Sequence, residues 1–124
     1  MNYFENDFAL PIILGNSKEA IRAARALQKN TDLEIHIIAK NLSLIGRLRF
    51  YFHKLYSSSD EIVLLTVEDF VKGFEEYYTP ILIYSEKEFG GFIQRNTERI
   101  DAVFITMSTS DVENCFKGRK NENN

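Results

Sequence analysis

The sequence has a single cysteine, a small net charge and no long hydrophobic run, and each of these absences excludes a class of protein. With Cys115 alone, no internal disulfide framework can form, which is typical of a reducing compartment. The formal net charge of −3 does not indicate electrostatic capture of nucleic acid. No window approaches the roughly 20 apolar residues that span a bilayer, and residues 1–10 lack the pattern of a signal peptide. We therefore expect a cytoplasmic protein without a nucleic-acid or membrane partner.

Hydrophobic residues, by contrast, are plentiful. They make up 44% of the 124 residues, with ten Phe and six Tyr, which excludes a disordered or fibrous chain and predicts a packed core. The length is that of one domain, so we assign residues 1–124 to a single unit. Within it, residues 1–8 are predicted to be a polar and aromatic leader, and residues 118–124 a polar tail.

Short apolar runs alternate with stretches that have apolar residues at helical spacing. The runs predict strands over residues 10–14, 33–39, 61–66, 80–84 and 102–106. The helical spacing predicts helices over residues 17–29, 43–56, 67–78 and 87–99, with one more starting at residues 111–116. Strands joined through helices run parallel with right-handed crossovers. The prediction is an α/β protein, a three-layer Rossmann-like open sheet of about five parallel strands with helices on both faces.

Polar residues follow three of the predicted strands, and open α/β sheets bind ligands at the carboxyl ends of their strands. These candidate ligand-binding residues are Gly15, Asn16, Ser17, Ser85, Glu86, Ser108 and Thr109. The same residue types also form glycine turns and helix N-caps, with Asn16 and Asp111 as candidate caps. Both interpretations stay open at this point.

The sequence offers no set of residues that would drive a reaction. The dinucleotide fingerprint G-x-G-x-x-G is absent after Gly15, and Glu19 places negative charge where a phosphate would lie, which argues against NAD or FAD. Neither His36 nor His53 has a partner at metal-ligand spacing, so no metal site is predicted. Cys115 has no local base. We assign no catalytic residue.

Charge is divided unevenly along the chain. Residues 35–59 contain no acid but include four Lys and Arg residues, whereas residues 60–88 are rich in acids. The basic segment fits either an anion- or partner-docking surface or an ordinary solvated helix face.

Four segments together resemble a known family: Leu10–Gly15, the alanine-rich Ile21–Leu27, Ile81–Glu88, and Ala102–Ile105. They look like the N-terminal, pre-ATP-grasp domain of ATP-grasp carboxylate–amine ligases, in the group of D-aspartate ligase and carbamoyl-phosphate synthase. The resemblance implies that ATP and Mg²⁺ are held by the domains that follow. It also implies that this domain packs on them and lends strand-end loops to the substrate, which by position are residues 15–17 and 85–86.

From this resemblance we expect a domain that is not catalytic alone, because the sequence stops near the start of the lysine-bearing ATP-grasp segment. Its expected partners are ATP-grasp catalytic domains or a companion subunit, with a homo-oligomer through an apolar helix face as a further expectation. The alternative is a self-standing module of the same fold that binds a small ligand or regulates another protein.

Overall fold

The computed structural model describes residues 2–122, and the side chains of residues 2–117. The strands are β1 (Ala9–Leu14), β2 (His36–Ala39), β3 (Tyr51–Lys54), β4 (Thr79–Tyr84) and β5 (Ile105–Ser108). The helices are α1 (Lys18–Asn30), α2 (Leu44–Arg49), α3 (Asp60–Lys72), α4 (Glu86–Arg95), α5 (Thr97–Asp101) and α6 (Thr109–Glu122).

All neighbouring strands of the sheet run parallel, in the order β3-β2-β1-β4-β5. Ile12 of β1 pairs with His36 of β2 on one side and with Leu82 of β4 on the other. Helices α1 and α6 pack on one face of the sheet, and α3, α4 and α5 pack on the other. The predicted fold class is therefore confirmed.

The central strand β1 and its neighbour β4 pack against helices on both faces of the sheet. Ile13 packs among the small alanines of α1, including Ala20 and Ala24, which allow the helix to approach the sheet closely. Leu82 points to the opposite face, where it packs with Val67 of α3 and the side chains of α4. Full burial of such a side chain contributes about 1.5–3 kcal/mol.

Residues 61–66 belong to a helix, and their prediction as a strand is wrong. They form the first half of α3, in which Val63, Leu64 and Val67 are buried while Ile62 and Leu65 are exposed. That spacing marks one face of a helix. A short apolar run does not distinguish a buried strand from a buried helix by periodicity alone. The helix predicted over residues 67–78 correspondingly ends at Lys72.

Residues 43–56, predicted as one helix, form α2 and then β3. Ser43 is the N-cap of α2, and its Oγ accepts a hydrogen bond from the N–H of Gly46 at 3.1 Å. The chain then leaves the helix at Phe50, which is extended and buried, and this allows residues 51–54 to pair with β2. The third strand of the sheet therefore comes from residues that the sequence assigned to a helix.

The predicted leader contributes to the core. Tyr3–Glu5 form a 3₁₀ turn, in which Asn2 Oδ1 accepts from the N–H of Phe4 at 2.9 Å. Phe4 is buried, with its ring 6.2 Å from that of Phe116. Met1 and residues 123–124 of the predicted tail lie outside the described residues, and residues 118–122 continue α6.

The other predicted boundaries shift by a few residues. The helix predicted over 87–99 is divided at Asn96, whose side chain donates to the carbonyl of Phe92 at 2.9 Å. Because α5 extends to Asp101, β5 starts at Ile105 instead of residue 102, and β2 starts at His36 instead of residue 33. Within residues 2–122, every helix is too short or too polar to cross a lipid bilayer.

Candidate functional site

The strand order creates a crevice at the carboxyl ends of β1 and β4. From β1 the chain continues through α1 on one face, and from β4 it continues through α4 on the other. Where neighbouring strands send their connections in opposite directions, an open sheet leaves a gap outside the strand ends, and ligands bind there. Gly15 and Ser85 are the first residues beyond these two strands.

The turn after β1 satisfies its own polar groups. Gly15 has a φ of +96°, a conformation that favours glycine, and its N–H donates to the carbonyl of Ile38 at 2.8 Å. The Asn16 side-chain amide donates to the carbonyl of Asn41 at 2.8 Å. Ser17, one residue later than predicted, is the N-cap of α1, with its Oγ accepting from the N–H of Ala20 at 3.1 Å.

The start of α1 also carries a carboxylate of its own. This carboxylate belongs to Glu19, and a hydrogen bond from the backbone N–H of Glu19 itself lowers its pKa. The nearby Lys87 ammonium lowers that pKa further. Because a negative side chain already lies at the positive end of this helix, the helix end is poorly suited to an added phosphate.

The loops after β4 and β5 mainly start helices. The Ser85 carbonyl accepts from the N–H groups of Glu88 and Phe89 at 3.1 and 2.8 Å. Ser108, in place of the predicted Asp111, caps α6, with its Oγ accepting from the Asp111 N–H at 3.2 Å. Ser85, Ser108 and Thr109 are buried, while Glu86 is exposed in the first turn of α4.

A cleft of about 500 Å³ opens at this edge of the sheet, on the face that α3 and α4 cover. Of the seven residues predicted to bind a ligand, Gly15 and Asn16 line it. The remaining five, Ser17, Ser85, Glu86, Ser108 and Thr109, lie along the same edge without lining the cleft. The structure therefore brings together only part of the predicted set.

Charged side chains that the sequence reasoning did not select make up much of the cleft wall. These are Lys40, Asp60, Lys87, Glu88 and Arg95. Lys40 follows β2 directly, so the rule that selected Gly15 could also have found it. Asp60 and Arg95 could not be placed, because residues 61–66 were assigned to a strand instead of to α3.

Asp60 and Arg95 hold α3 and α4 together at the cleft. The Arg95 Nε and Nη2 atoms donate to the two Asp60 carboxylate oxygens at 2.9 and 3.0 Å, and Asn96 Nδ2 donates to Asp60 Oδ2 at 3.0 Å. The hydrogen bonds from Arg95 and then from Asn96 lower the pKa of Asp60 to about 2. This bidentate ion pair holds the wall of the cleft in place. Its two opposite charges compensate each other.

The Glu88 carboxylate lies directly over Gly15, in the space that a side chain at position 15 would occupy. This is where an anion would approach the turn, so a phosphate there would have to displace a negative charge. Lys40, Lys87 and Glu88 are exposed, and none of them enters an ion pair among residues 2–117. The cleft thus offers both signs of charge to a ligand.

The described residues carry little reactive chemistry near the cleft. No group of three His, Cys, Asp or Glu residues within them is placed to hold a metal ion. Burial, and then the charge of Asp111, raise the pKa of the Cys115 thiol, which keeps it protonated at neutral pH.

A second feature missed by the sequence reasoning is a histidine pair between β2 and β3. His36 Nδ1 lies 3.0 Å from His53 Nε2, and the rings of Tyr51, Phe70 and Phe74 surround them. His36 is buried, and its Nε2 has no hydrogen-bond partner among residues 2–117, with Glu34 Oε1 at 3.5 Å. The two histidines are 17 residues apart, and the sequence placed one in a strand and the other in a helix.

Comparisons of this chain with protein families, curated proteins and solved structures find no match.

Proposed function

We propose that this chain is the first, non-catalytic domain of an ATP-grasp carboxylate–amine ligase, which lends the strand-end cleft to the substrate. The observation that carries the proposal is the charge pattern of the cleft. Lys40 and Lys87 can pair with a carboxylate, and Glu88 beside Gly15 can pair with an ammonium group. A small amino acid has both groups, and substrates of such ligases carry a carboxylate or an amine.

The same residues do not fit the nucleotide or its metal. A phosphate at Gly15 meets the Glu88 carboxylate, and the described residues provide no cluster of ligands for Mg²⁺. The proposal therefore assigns ATP and Mg²⁺ to ATP-grasp catalytic domains or a companion subunit, on which this domain packs. It places the protein in the cytoplasm, in agreement with its single cysteine.

Titration calorimetry tests both parts of this proposal. We expect a small amino acid with an acidic side chain, such as D-aspartate, to bind the purified chain, and MgATP to give no heat of binding. The Glu88→Gln variant should bind the amino acid at least about tenfold more weakly, which corresponds to about 1.4 kcal/mol. Glu98→Gln, an exposed change outside the cleft and outside the strand-end loops, is the matched control. Micromolar binding of MgATP to this chain would contradict the proposal.

A second candidate function is a self-standing module that binds a small ligand, and one observation favours it. The volume of the cleft, about 500 Å³, lies in the range of small-molecule sites. High affinity for an amino acid without any partner protein would favour this module, whereas weak affinity that rises when ATP-grasp domains are added would favour the ligase domain.

A further inference from the structure

Helix α2 exposes three large aliphatic side chains on one side of a six-residue helix. Leu44, Ile45 and Leu48 are 74%, 61% and 78% exposed. Leu48 lies four positions after Leu44 and three after Ile45, spacings that make residues neighbours on a helix surface, so Leu48 joins the three side chains into one patch. A grouped apolar patch of this kind, unlike single exposed residues, marks an interaction site. We call it the α2 patch.

The α2 patch has basic neighbours. Arg47 and Arg49 lie on the same helix, and residues 35–59 contain no acid. The Arg47 side chain is held in place, because its Nε donates to the carbonyl of Leu42 at 3.0 Å and its guanidinium lies 4.9 Å from the centre of the Phe52 ring. The patch therefore combines apolar surface with fixed positive charge.

A groove lined by apolar side chains and rich in acidic ones lies on the other face of the sheet. It has a volume of about 570 Å³, and Val71, Phe74 and Tyr78 line it together with Glu75 and Glu76 at its rim. We call it the α3 groove. None of the ion pairs among residues 2–117 involves either of these two glutamates. Glu68 and Lys72 also line the groove, and both are already paired, Glu68 with Arg99 at 2.8 Å and Lys72 with Asp69 at 3.6 Å.

The two surfaces cannot meet within one chain. The segment around α2 packs on the face of the sheet that α1 covers, through Leu42 and Phe50. The α3 groove lies on the opposite face, near the start of β1 and β4, where Leu10 and Pro80 line it. A contact between the patch and the groove therefore needs a second copy of the chain.

Charge decides which contact between two copies is favourable. If two α2 patches faced each other, Arg47 and Arg49 would meet their own copies, and like charges at an interface cost several kcal/mol. If the patch meets the α3 groove, the arginines meet Glu75 and Glu76. We propose that the α2 patch of one molecule docks into the α3 groove of another, in a head-to-tail contact between identical chains.

The size of the contact sets its strength. One short helix in one groove buries less than the roughly 1,200 Å² of a standard interface, so the association is weak and transient. Because each molecule keeps a free patch or groove after pairing, a head-to-tail contact can extend beyond a dimer. The mean mass in solution should therefore rise steadily with concentration, and less so at high salt, which screens exposed charges.

Sedimentation analysis of the full chain, with matched variants, tests this contact. We expect the weight-average mass to rise between about 10 μM and about 1 mM protein. Two variants should each remain monomeric over this range: Leu44→Gln/Leu48→Gln, which removes the patch, and Glu75→Lys/Glu76→Lys, which reverses the rim of the groove. All four side chains are exposed, and circular dichroism verifies that both variants are folded. Ile62→Gln and Glu86→Lys, exposed changes outside both surfaces, should associate as the parent does.

Mixing the two variants gives the sharpest result. The patch variant keeps an intact groove, and the groove variant keeps an intact patch, so an equimolar mixture should form a dimer that cannot extend. A parent chain that stays monomeric at about 1 mM would overturn the proposal. So would a mixture that remains monomeric while the parent associates, because an intact patch and an intact groove on different molecules would then fail to bind each other.

Discussion

At the scale of single residues, Gly15 is the position where backbone conformation and the proposed site coincide. Its φ of +96° is rarely adopted by residues with a side chain, and the Glu88 carboxylate occupies the space that a side chain there would take. Glycine at the end of β1 therefore allows a charged side chain of α4 to reach across the crevice. The sequence predicted the turn at Gly15, but gave no sign that Glu88 lies over it.

Replacing Gly15 should destabilise the fold through its backbone. Gly15→Ala forces an L-residue into the positive-φ region, which costs about 1–2 kcal/mol, and it displaces the flexible end of Glu88. Urea denaturation measures the change in the free energy of unfolding. Gly90→Ala is the control, because its added methyl group meets only an ordinary contact of 3.7 Å inside α4. That variant should be more stable than the parent by up to about 1 kcal/mol, and equal losses in both variants would contradict this account.

The histidine pair predicts that stability falls in mild acid. Burial lowers the pKa of His36 below its usual 6.5, the charge of His53 lowers it further, and Glu34 opposes both effects. Burial also lowers the pKa of His53. Below pH 6.5 the unfolded chain therefore binds more protons than the folded chain, so the free energy of unfolding decreases as the pH falls through this range.

Thermal unfolding between about pH 7.5 and about pH 5.5 measures this effect, since most carboxylates remain ionised there. The Tm of the parent should fall as the pH decreases. The double variant His36→Gln/His53→Gln lacks both histidines and should therefore show a flatter profile of Tm against pH. Glu34 and Tyr51, titratable groups beside the pair, are unchanged in this variant. An equally steep fall in the double variant would show that other groups are responsible.

At the scale of elements, the sequence was most informative where a pattern has one structural meaning. The runs at residues 10–14 and 80–84 consist of apolar and aromatic residues, and α1 has alanines on one face, so these elements were predicted close to their observed positions. The segment from Ser43 to Lys72 was assigned poorly. Its apolar residues on α2 are exposed, which no periodicity reveals, and the run at residues 62–65 fits a strand as well as a helix.

Substitutions within α3 distinguish its helical structure from the strand that the sequence predicted. In a strand buried on both faces, Ile62 and Leu64 would both lie in the core. In α3 only Leu64 is buried, so Leu64→Ala should cost about 2–5 kcal/mol. Ile62→Gln, at an exposed position, should change the free energy of unfolding by about 0.5 kcal/mol or less. Chemical denaturation gives both values, and a large loss in Ile62→Gln would favour the strand.

At the scale of the whole molecule, the strand order determines where the site lies. The order β3-β2-β1-β4-β5 places the crevice between β1 and β4, and the alternation of strands and helices in the sequence was enough to predict a parallel sheet. The sequence does not predict which charged side chains line the crevice. Asp60 and Arg95 are 35 residues apart and meet only because α3 and α4 pack on the same face.

The most direct test of the proposed site is to map backbone amide chemical shifts while D-aspartate is added to the labelled chain. The account predicts that the shifts concentrate at Gly15, Asn16, Lys40 and Lys87, that Glu88→Gln greatly reduces them, and that MgATP causes none at these positions. Shifts confined to the α3 groove, or MgATP shifts centred on Gly15, would contradict it.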